Sequence, residues 1–519
     1  MRRIKIISVT VSMRRLALPI LLATSSSCSS LPAVVDKQES HALETYRETS
    51  LGAFFAPLEA QHPGQSGFLP IFKGRMAFAG RVLATELAEK TIDAQYYIWE
   101  KDATGRLLLD RMLVAADRGV RVRLLVDDIN LTGKDSAVAG VDAHPNIEVR
   151  VFNPFAHRDR HLVDFLVDME RVNHRMHNKL LAVDNSLAII GGRNIGNHYF
   201  ESDESSNFRD LDLVVAGPTV RALSTSFDLF WNSASAYPAS TVLKQQQTAE
   251  TLTRYRAQLS AYMEQDNYPY PLRADVSIHQ EQLDTLLGGL VWAPAEVLYD
   301  PPASIQKNSE LRSMRDRLFT ELRDSKREVL IESAYLVTTK AGVEVAKDLQ
   351  KRQVRMRVLT NSLASNDVIA AHAGWAKRRK EMIAAGVEVY ELRADSGYLK
   401  KDWASEVGSS RAALHSKVMV LDGERVFVGS YNLDPRSAYI NTEIGVLINS
   451  SELAGMITEY MDQGVLPENS YRVELVNGQL IWRTIIDGQE VTYDKEPLSG
   501  FWARLQVKIV NALPLESQL

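Results

Sequence analysis

Cysteine is almost absent from this chain of 519 residues, with Cys28 the only one. A single cysteine excludes an internal disulfide framework, an Fe–S cluster and a multi-cysteine zinc site. No cluster of histidines and carboxylates falls at metal-ligand spacing, so neither a metal nor another cofactor is expected. Positive charge is not in excess: 60 Lys and Arg stand against 65 Asp and Glu, a formal charge of −5. Nucleic-acid binders are usually basic overall, so nucleic acid is not an expected partner. Beyond residue 30 there is no apolar run of the ~20 residues that a bilayer-crossing helix needs. The remaining composition is that of a globular chain, 45% hydrophobic and 24% charged, which excludes disorder and a multi-span membrane protein. The length suits about three domains, or two large ones.

The first thirty residues stand apart. Met13-Arg14-Arg15 precedes the short apolar stretch Leu16 to Thr24, and three serines follow it. A positive start, a short apolar core and small residues are the marks of an export signal. Cys28, just after the serines, resembles the lipidated cysteine of a bacterial lipoprotein, and simple signal cleavage is the alternative. The expected location is the bacterial cell envelope, peripheral to the membrane, after export and lipid anchoring.

From residue 71 the chain repeats itself after about 240 residues. The first copy reads helix (Arg75 to Lys90), strand (Thr91 to Trp99), helix (Thr104 to Arg118) and strand (Val120 to Asp127). The second reads helix (Glu310 to Ser325), strand (Val329 to Leu336), helix (Ala341 to Lys351) and strand (Val354 to Thr360). A further strand follows in each, Ile147 to Phe152 and Val387 to Leu392. Short apolar runs alternating with helix-length amphipathic segments predict an α/β fold, each unit a sheet flanked by helices. So long a period predicts a duplicated lobe and not a solenoid. The expected parts are a lead-in at 31–70, a first lobe at 71–232, a linker or insertion at 233–300 and a second lobe at 301–465. The linker carries a helix from Leu243 to Gln265 and the run Tyr268-Pro269-Tyr270-Pro271. Residues 466–519 hold two hairpin signals, Asn477-Gly478 and Asp487-Gly488, and a last helix. Phe501, Leu505, Ile509 and Leu513 form a stripe on that helix, which is expected to dock on the second lobe. The competing reading is a helix on the membrane surface.

Each copy then carries the same motif. Met176-His177-Asn178-Lys179 runs to Asp184, followed after six residues by Gly191-Gly192-Arg193-Asn194. Leu414-His415-Ser416-Lys417 runs to Asp422, followed after six residues by Gly429-Ser430-Tyr431-Asn432. One His-x-Lys is weak evidence of anything. Two copies with the same internal spacing, at the same place in duplicated lobes, are strong. On a strand, His and Lys of such a motif share a face, so two strands brought together surround one space with two imidazoles and two ammonium groups.

These residues resemble the phospholipase D superfamily, whose HxKxxxxD and GSxN signature occurs twice and builds one active site at the lobe interface. Gln95-Tyr96-Tyr97-Ile98-Trp99, Phe152-Asn153-Pro154-Phe155, Thr360-Asn361-Ser362-Leu363-Ala364 and Asn432-Leu433-Asp434-Pro435-Arg436-Ser437 extend the likeness toward the bacterial cardiolipin synthases of the C type. The resemblance implies two phospholipase D-type lobes, each a mixed sheet flanked by helices. It also implies a transferase that makes cardiolipin from phosphatidylglycerol and a second phospholipid, phosphatidylethanolamine or phosphatidylglycerol. One histidine would form a covalent phosphohistidine and the other would act as acid and base. His177 is taken as nucleophile and His415 as acid, although the symmetry of the motifs permits the exchange. Lys179, Lys417, Asn194 and Asn432 would offset phosphate charge, and Asp184 and Asp422 would brace the fold. A carboxylate following each motif histidine by roughly thirty residues would orient it. Asp210 or Asp212, 33 or 35 residues on, and Glu443, 28 residues on, are the candidates. The first motif departs from the pattern, since Gly192 stands where serine is usual, so the two halves are expected to be unequal. Phospholipid hydrolysis, and less so nuclease activity, are the alternatives; a catalytically silent membrane scaffold fits two intact motifs poorly. Phospholipids and a membrane surface are the expected partners, and no protein partner is expected.

Overall fold

A computed structural model describes residues 31, 36–264, 288–305, 313–396 and 410–512. Cys28, Leu513 and the Tyr268–Pro271 run lie outside the described residues. The fold is α/β, two large mixed sheets with helices on their faces. Each sheet is built on the same six-strand core. In the first, the order is Asp212–Ala216, Leu187–Gly191, Lys179–Val183, Thr91–Tyr96, Arg121–Asp127 and Ile147–Phe152. In the second, it is Ile444–Asn449, Arg425–Gly429, Lys417–Leu421, Glu328–Ser333, Arg355–Asn361 and Glu388–Leu392. The helix-connected strands pair in parallel and the motif strands join them antiparallel. The sequence periodicity located the three parallel strands of each core, because strands buried on both faces read as near-continuous apolar runs; Leu187–Gly191, Asp212–Ala216, Arg425–Gly429 and Ile444–Asn449 were not read from it.

The edges of the sheets differ from the sequence reading. Ser66–Ile71, at the end of the expected lead-in, is a strand between Asp212–Ala216 and Val291–Ala293, and the helix Ser50–Gln61 buries Leu51 and Phe55 in the first core. The described residues of the expected linker hold three strands. Ala236–Pro238 and Val291–Ala293 complete the first sheet, and Ala295–Tyr299 opens the second. The helix read from Leu243 begins only at Ala249 and runs to Met263, and a separate short helix, Ala239–Val242, precedes the expected span. Pairing of short strands is decided by distant partners, so these segments carry little local signal.

The tail is continuous with the second sheet. Ser470–Val476 pairs with Glu388–Leu392, and Gln479–Ile486 and Gln489–Tyr493 follow by hairpins. Asn477 and Gly478, and then Asp487 and Gly488, all have positive φ, as a type I′ turn requires. The last helix, Phe501–Ala512, docks as expected but through a different stripe. Ala503, Val507 and Val510 meet Leu363, Ala373 and Ala376, while Phe501, Trp502 and Ile509 stay exposed. Small and β-branched residues let the two helices approach closely, which the larger side chains would prevent. No helix among the described residues is long and apolar enough to cross a membrane.

The lobes share one apolar core. Leu180, Ile190 and Leu213 of the first sheet lie in one cluster with Val418, Val428 and Val446 of the second. A buried ion pair crosses the same seam: Arg209 donates to Glu332 at 2.9 Å, with both side chains within 1% of full burial. Arg209 also lies 3.6 Å from the ring centre of Tyr460. Removing one member of a buried pair strands the other charge, at about 3–5 kcal/mol. Arg209→Leu is therefore expected to lower stability by that amount in a denaturant titration. A loss under ~1 kcal/mol, the size of an ordinary surface change, would mean that the pair does not hold the seam.

Candidate active site

The two motifs meet at the seam because short parallel pairings tie each to the other lobe. Arg411–Leu414 pairs with Ser206–Arg209, with Leu414 opposite Arg209. One residue further, His415 stands beside Asp210, and the His415 amide donates to the Arg209 carbonyl at 2.8 Å. In the same way Met176 bridges Thr442, so His177 stands beside Glu443, and the His177 amide donates to the Thr442 carbonyl at 2.9 Å. The histidines precede their strands, which begin at Lys179 and Lys417.

The carboxylates are exchanged between lobes. His177 Nδ1 lies 2.8 Å from Glu443 Oε2, and His415 Nδ1 lies 2.7 Å from Asp210 Oδ2. Sequence distance had pointed each acid to the histidine of its own lobe. The structure also separates the two aspartates: Asp212 accepts from Arg81 at 2.9 Å and lies 3.4 Å from Arg193, a buried cluster away from either histidine's ring nitrogens.

With Nδ1 held by a carboxylate, Nε2 is the nitrogen each imidazole can offer to a substrate. Burial, and then the charges of Lys179, Lys417 and Arg436, hold the His177 imidazole well below the usual histidine range. His415 is lowered well below it by burial and then by Lys417, Lys179 and His177. Burial also lowers both lysines, Lys179 strongly, against the pull of Glu443 on Lys179 and of Asp210 on Lys417. Lys179 and Lys417 each donate to the carbonyl of the histidine two residues before. An anion entering among these groups favours their protonated forms. Aromatic rings set the walls. Tyr97 meets His177 edge-on at 4.9 Å between ring centres, and Tyr199 meets His415 edge-on at 5.0 Å. Phe208 also lies 5.0 Å from His415. Tyr97 lies in a stretch that carried the family likeness, but no wall role was read for it, and nothing in the spacing of Tyr199 and Phe208 distinguishes them from core aromatics.

The unequal second motif elements have a steric cause. Ser430 donates to Glu443, as does Ser437 at 2.7 Å. Neither contact was read from the sequence, although Ser430 is the serine of the second GxxN element. In the other half the shorter Asp210 lies hard against Gly192: a Cβ placed on Gly192 would come 2.2 Å from Asp210 Oδ1. Glutamate with serine, and aspartate with glycine, are two solutions to the same space. Asn194 accepts from the Ile98 amide at 3.2 Å, and the buried side-chain oxygen of Asn432 has no hydrogen-bond partner among the described residues.

Asp184 and Asp422 are not in this pocket. Each stands five residues beyond the motif lysine, roughly 16 Å along a strand. Asp184 accepts from the amides of Glu89, Lys90 and Thr91 at 2.8–2.9 Å. Asp422 accepts from those of Lys326, Arg327 and Glu328 at 2.7–3.1 Å. They tie the end of the motif strand to the start of its neighbour. No group of three or more His, Cys, Asp or Glu able to hold a metal occurs among the described residues.

Two duplicated α/β lobes, with a His-x-Lys element from each at one seam, define an enzyme of the phospholipase D superfamily. The chain belongs to the family described as cardiolipin synthase, PLD-like domain, which matches residues 84–231 and 318–464. It is 38% identical to cardiolipin synthase C of Escherichia coli (strain K12) over 471 residues, 90% of this chain and 99% of that protein. A probable cardiolipin synthase of Bacillus subtilis (strain 168) is 24% identical, over 83% of this chain and 73% of its own length. Among solved structures, the phosphatidylserine synthase of Haemophilus influenzae Rd KW20 shares the fold, with a TM-score of 0.53 at 14% identity over 80% of this chain and 90% of that one.

Two outcomes test the geometry. His177→Ala and His415→Ala should each remove more than nine tenths of turnover, a loss above ~1.4 kcal/mol, and the double variant should lose little more because the pair acts as one unit. Independent, additive losses in a steady-state assay would contradict a shared site. Gly192→Ser should cost about tenfold or more in turnover with folding retained, because it displaces Asp210 from His415. Wild-type rates in that variant would show that Asp210 does not position the imidazole.

Proposed function

We propose that the protein is a phosphatidyltransferase that makes cardiolipin from phosphatidylglycerol and a second phospholipid, phosphatidylethanolamine or phosphatidylglycerol. The observation that carries the reading is the pair of histidines, each with its Nδ1 on the opposite lobe's carboxylate. The choice of lipid substrates is supported by the full-length likeness to cardiolipin synthase C.

In the proposed sequence, His177 Nε2 attacks the phosphorus of the donor lipid. The bond to the headgroup oxygen breaks, and His415 gives that oxygen a proton. The product of this step is a phosphatidyl-histidine and a free alcohol. The glycerol hydroxyl of phosphatidylglycerol then loses its proton to His415 and attacks phosphorus, which releases His177 and leaves cardiolipin. Lys179 and Lys417 offset charge on the phosphate oxygens, aided by Asn194 and Asn432. Asp210 and Glu443 hold the imidazole tautomers. Water competes with the lipid alcohol wherever it reaches the intermediate, and hydrolysis to phosphatidic acid is then the outcome. Peripheral membrane attachment after export, with lipid on Cys28, completes the reading.

The test is incubation with labelled phosphatidylglycerol, with and without phosphatidylethanolamine. Cardiolipin should exceed phosphatidic acid, and turnover should persist in EDTA. Phosphatidic acid alone would make the protein a phospholipase D-type hydrolase. Loss of turnover in EDTA, restored by one divalent ion, would overturn the histidine mechanism. Acid-labile label trapped on the peptide containing His177 is expected, and label on that containing His415 would exchange the two roles.

A further inference from the structure

The two lobes differ in one buried region beside the motif loops. In the first lobe that region is filled by aromatic rings. Tyr96 pairs with Lys179 on the neighbouring strand, Trp99 bridges Ile195, and Phe200 lies six residues past Asn194. Tyr96 and Trp99 meet edge-on at 5.5 Å, Phe200 packs on Phe78 at 5.0 Å, and the Arg81 guanidinium covers Phe200 at 5.2 Å. The matching places in the second lobe are found by the same three relations. Ser333 pairs with Lys417, Leu336 bridges Leu433, and Ala438 lies six residues past Asn432. Tyrosine, tryptophan and phenylalanine are thus replaced by serine, leucine and alanine.

The described residues do not refill the volume given up. A cavity of about 530 Å³ opens there, between the helices Ser313–Asp324 and Lys340–Lys351 and the motif loop. Its depth is apolar, lined by Phe319, Leu322, Leu336, Val345 and Met356. Its rim is polar and mixed in charge, with Arg315, Asp316, Arg323 and Glu344. Tyr431, Leu433 and Asp434, the neighbours of Asn432, form the wall toward the site. Interiors are close-packed, and an empty apolar void costs stability in proportion to its volume. A volume in the range of small-molecule sites, ~300–1,000 Å³, apolar in depth and polar at the mouth, fits an amphiphile entering tail first.

We propose that this cavity seats a hydrocarbon chain of the phospholipid whose phosphate reacts at the histidines. The proposal rests on the reading of the protein as a phospholipid transferase. The occupant follows from the apolar lining and from the wall that the cavity shares with the second motif. A chain held there lies against Tyr431 and Leu433, the residues on either side of Asn432 of the second motif. At the matching place the described residues of the first lobe leave only a smaller cavity of about 50 Å³, walled by Trp99, so the two lipids of the reaction are held differently.

The test uses short-chain phosphatidylglycerols below their aggregation concentration. Transfer of each methylene into an apolar site strengthens binding about fourfold. The KM of the wild type should therefore fall steeply as the acyl chains lengthen from about four to about eight carbons. Leu336→Trp, which copies Trp99, and Val345→Phe should each flatten that dependence. Wild-type chain-length dependence in both variants, with folding intact, would overturn the proposal. A second measurement does not require turnover. Phosphatidylglycerol carrying a diazirine at the acyl terminus should label peptides containing Phe319 or Val345 in the wild-type protein. Labelling confined to exposed surfaces would overturn the proposal even if the variants failed to fold. Labelling inside the cavity without any transfer would uphold it and would place the failure in the proposed reaction.

Discussion

Two short backbone pairings across the lobe seam govern the candidate site. Leu414 opposite Arg209 and Met176 opposite Thr442 set a register in which the next residue on each side is a histidine facing the other lobe's acid. A slip of one residue in either pairing would turn the side chains to the opposite face and part the histidine that follows it from its carboxylate. Neither lobe holds a complete site, because each supplies a histidine whose orienting carboxylate is in the other. The shared apolar core and the Arg209–Glu332 pair keep the lobes in this register.

Burial sets the electrostatics of the seam. Two imidazoles, two lysines and two acids lie together almost without solvent. Desolvation pushes the cations toward neutrality and raises both acids, Glu443 to about 7. Hydrogen bonds from Ser430 and Ser437 to Glu443 oppose part of that cost. A site so arranged gains charge when an anion enters it, and so binds a phosphate diester more readily than a neutral ester.

Duplication here has not preserved equivalence. The Glu443 half has a serine beside it and an open cavity behind the motif loop. The Asp210 half has a glycine, forced by the closeness of Asp210, and a packed aromatic cluster. Both contrasts follow from side-chain volume at matched positions. They give two backbone lobes of one design different chemical surroundings.

Much of this was legible in the residue order. The duplicated strands and helices, the repeated His-x-Lys elements and the two Asn-Gly and Asp-Gly hairpins all rest on local chemistry: apolar period, spacing and backbone preference for positive φ. The pairing of His177 with Glu443 and of His415 with Asp210 was not legible, because 266 and 205 residues separate the partners and only strand register joins them. Nor were the edge strands at Ser66–Ile71 and Val291–Ala293, whose place is chosen by distant neighbours. The last helix hid its docking face for the same reason, since its own apolar stripe did not reveal which residues the Ile369–Ala384 helix could admit. Local sequence determined which elements exist and which residues carry the chemistry. Tertiary packing alone decided which of them meet, because contacts across the seam depend on shape and register that no segment encodes by itself.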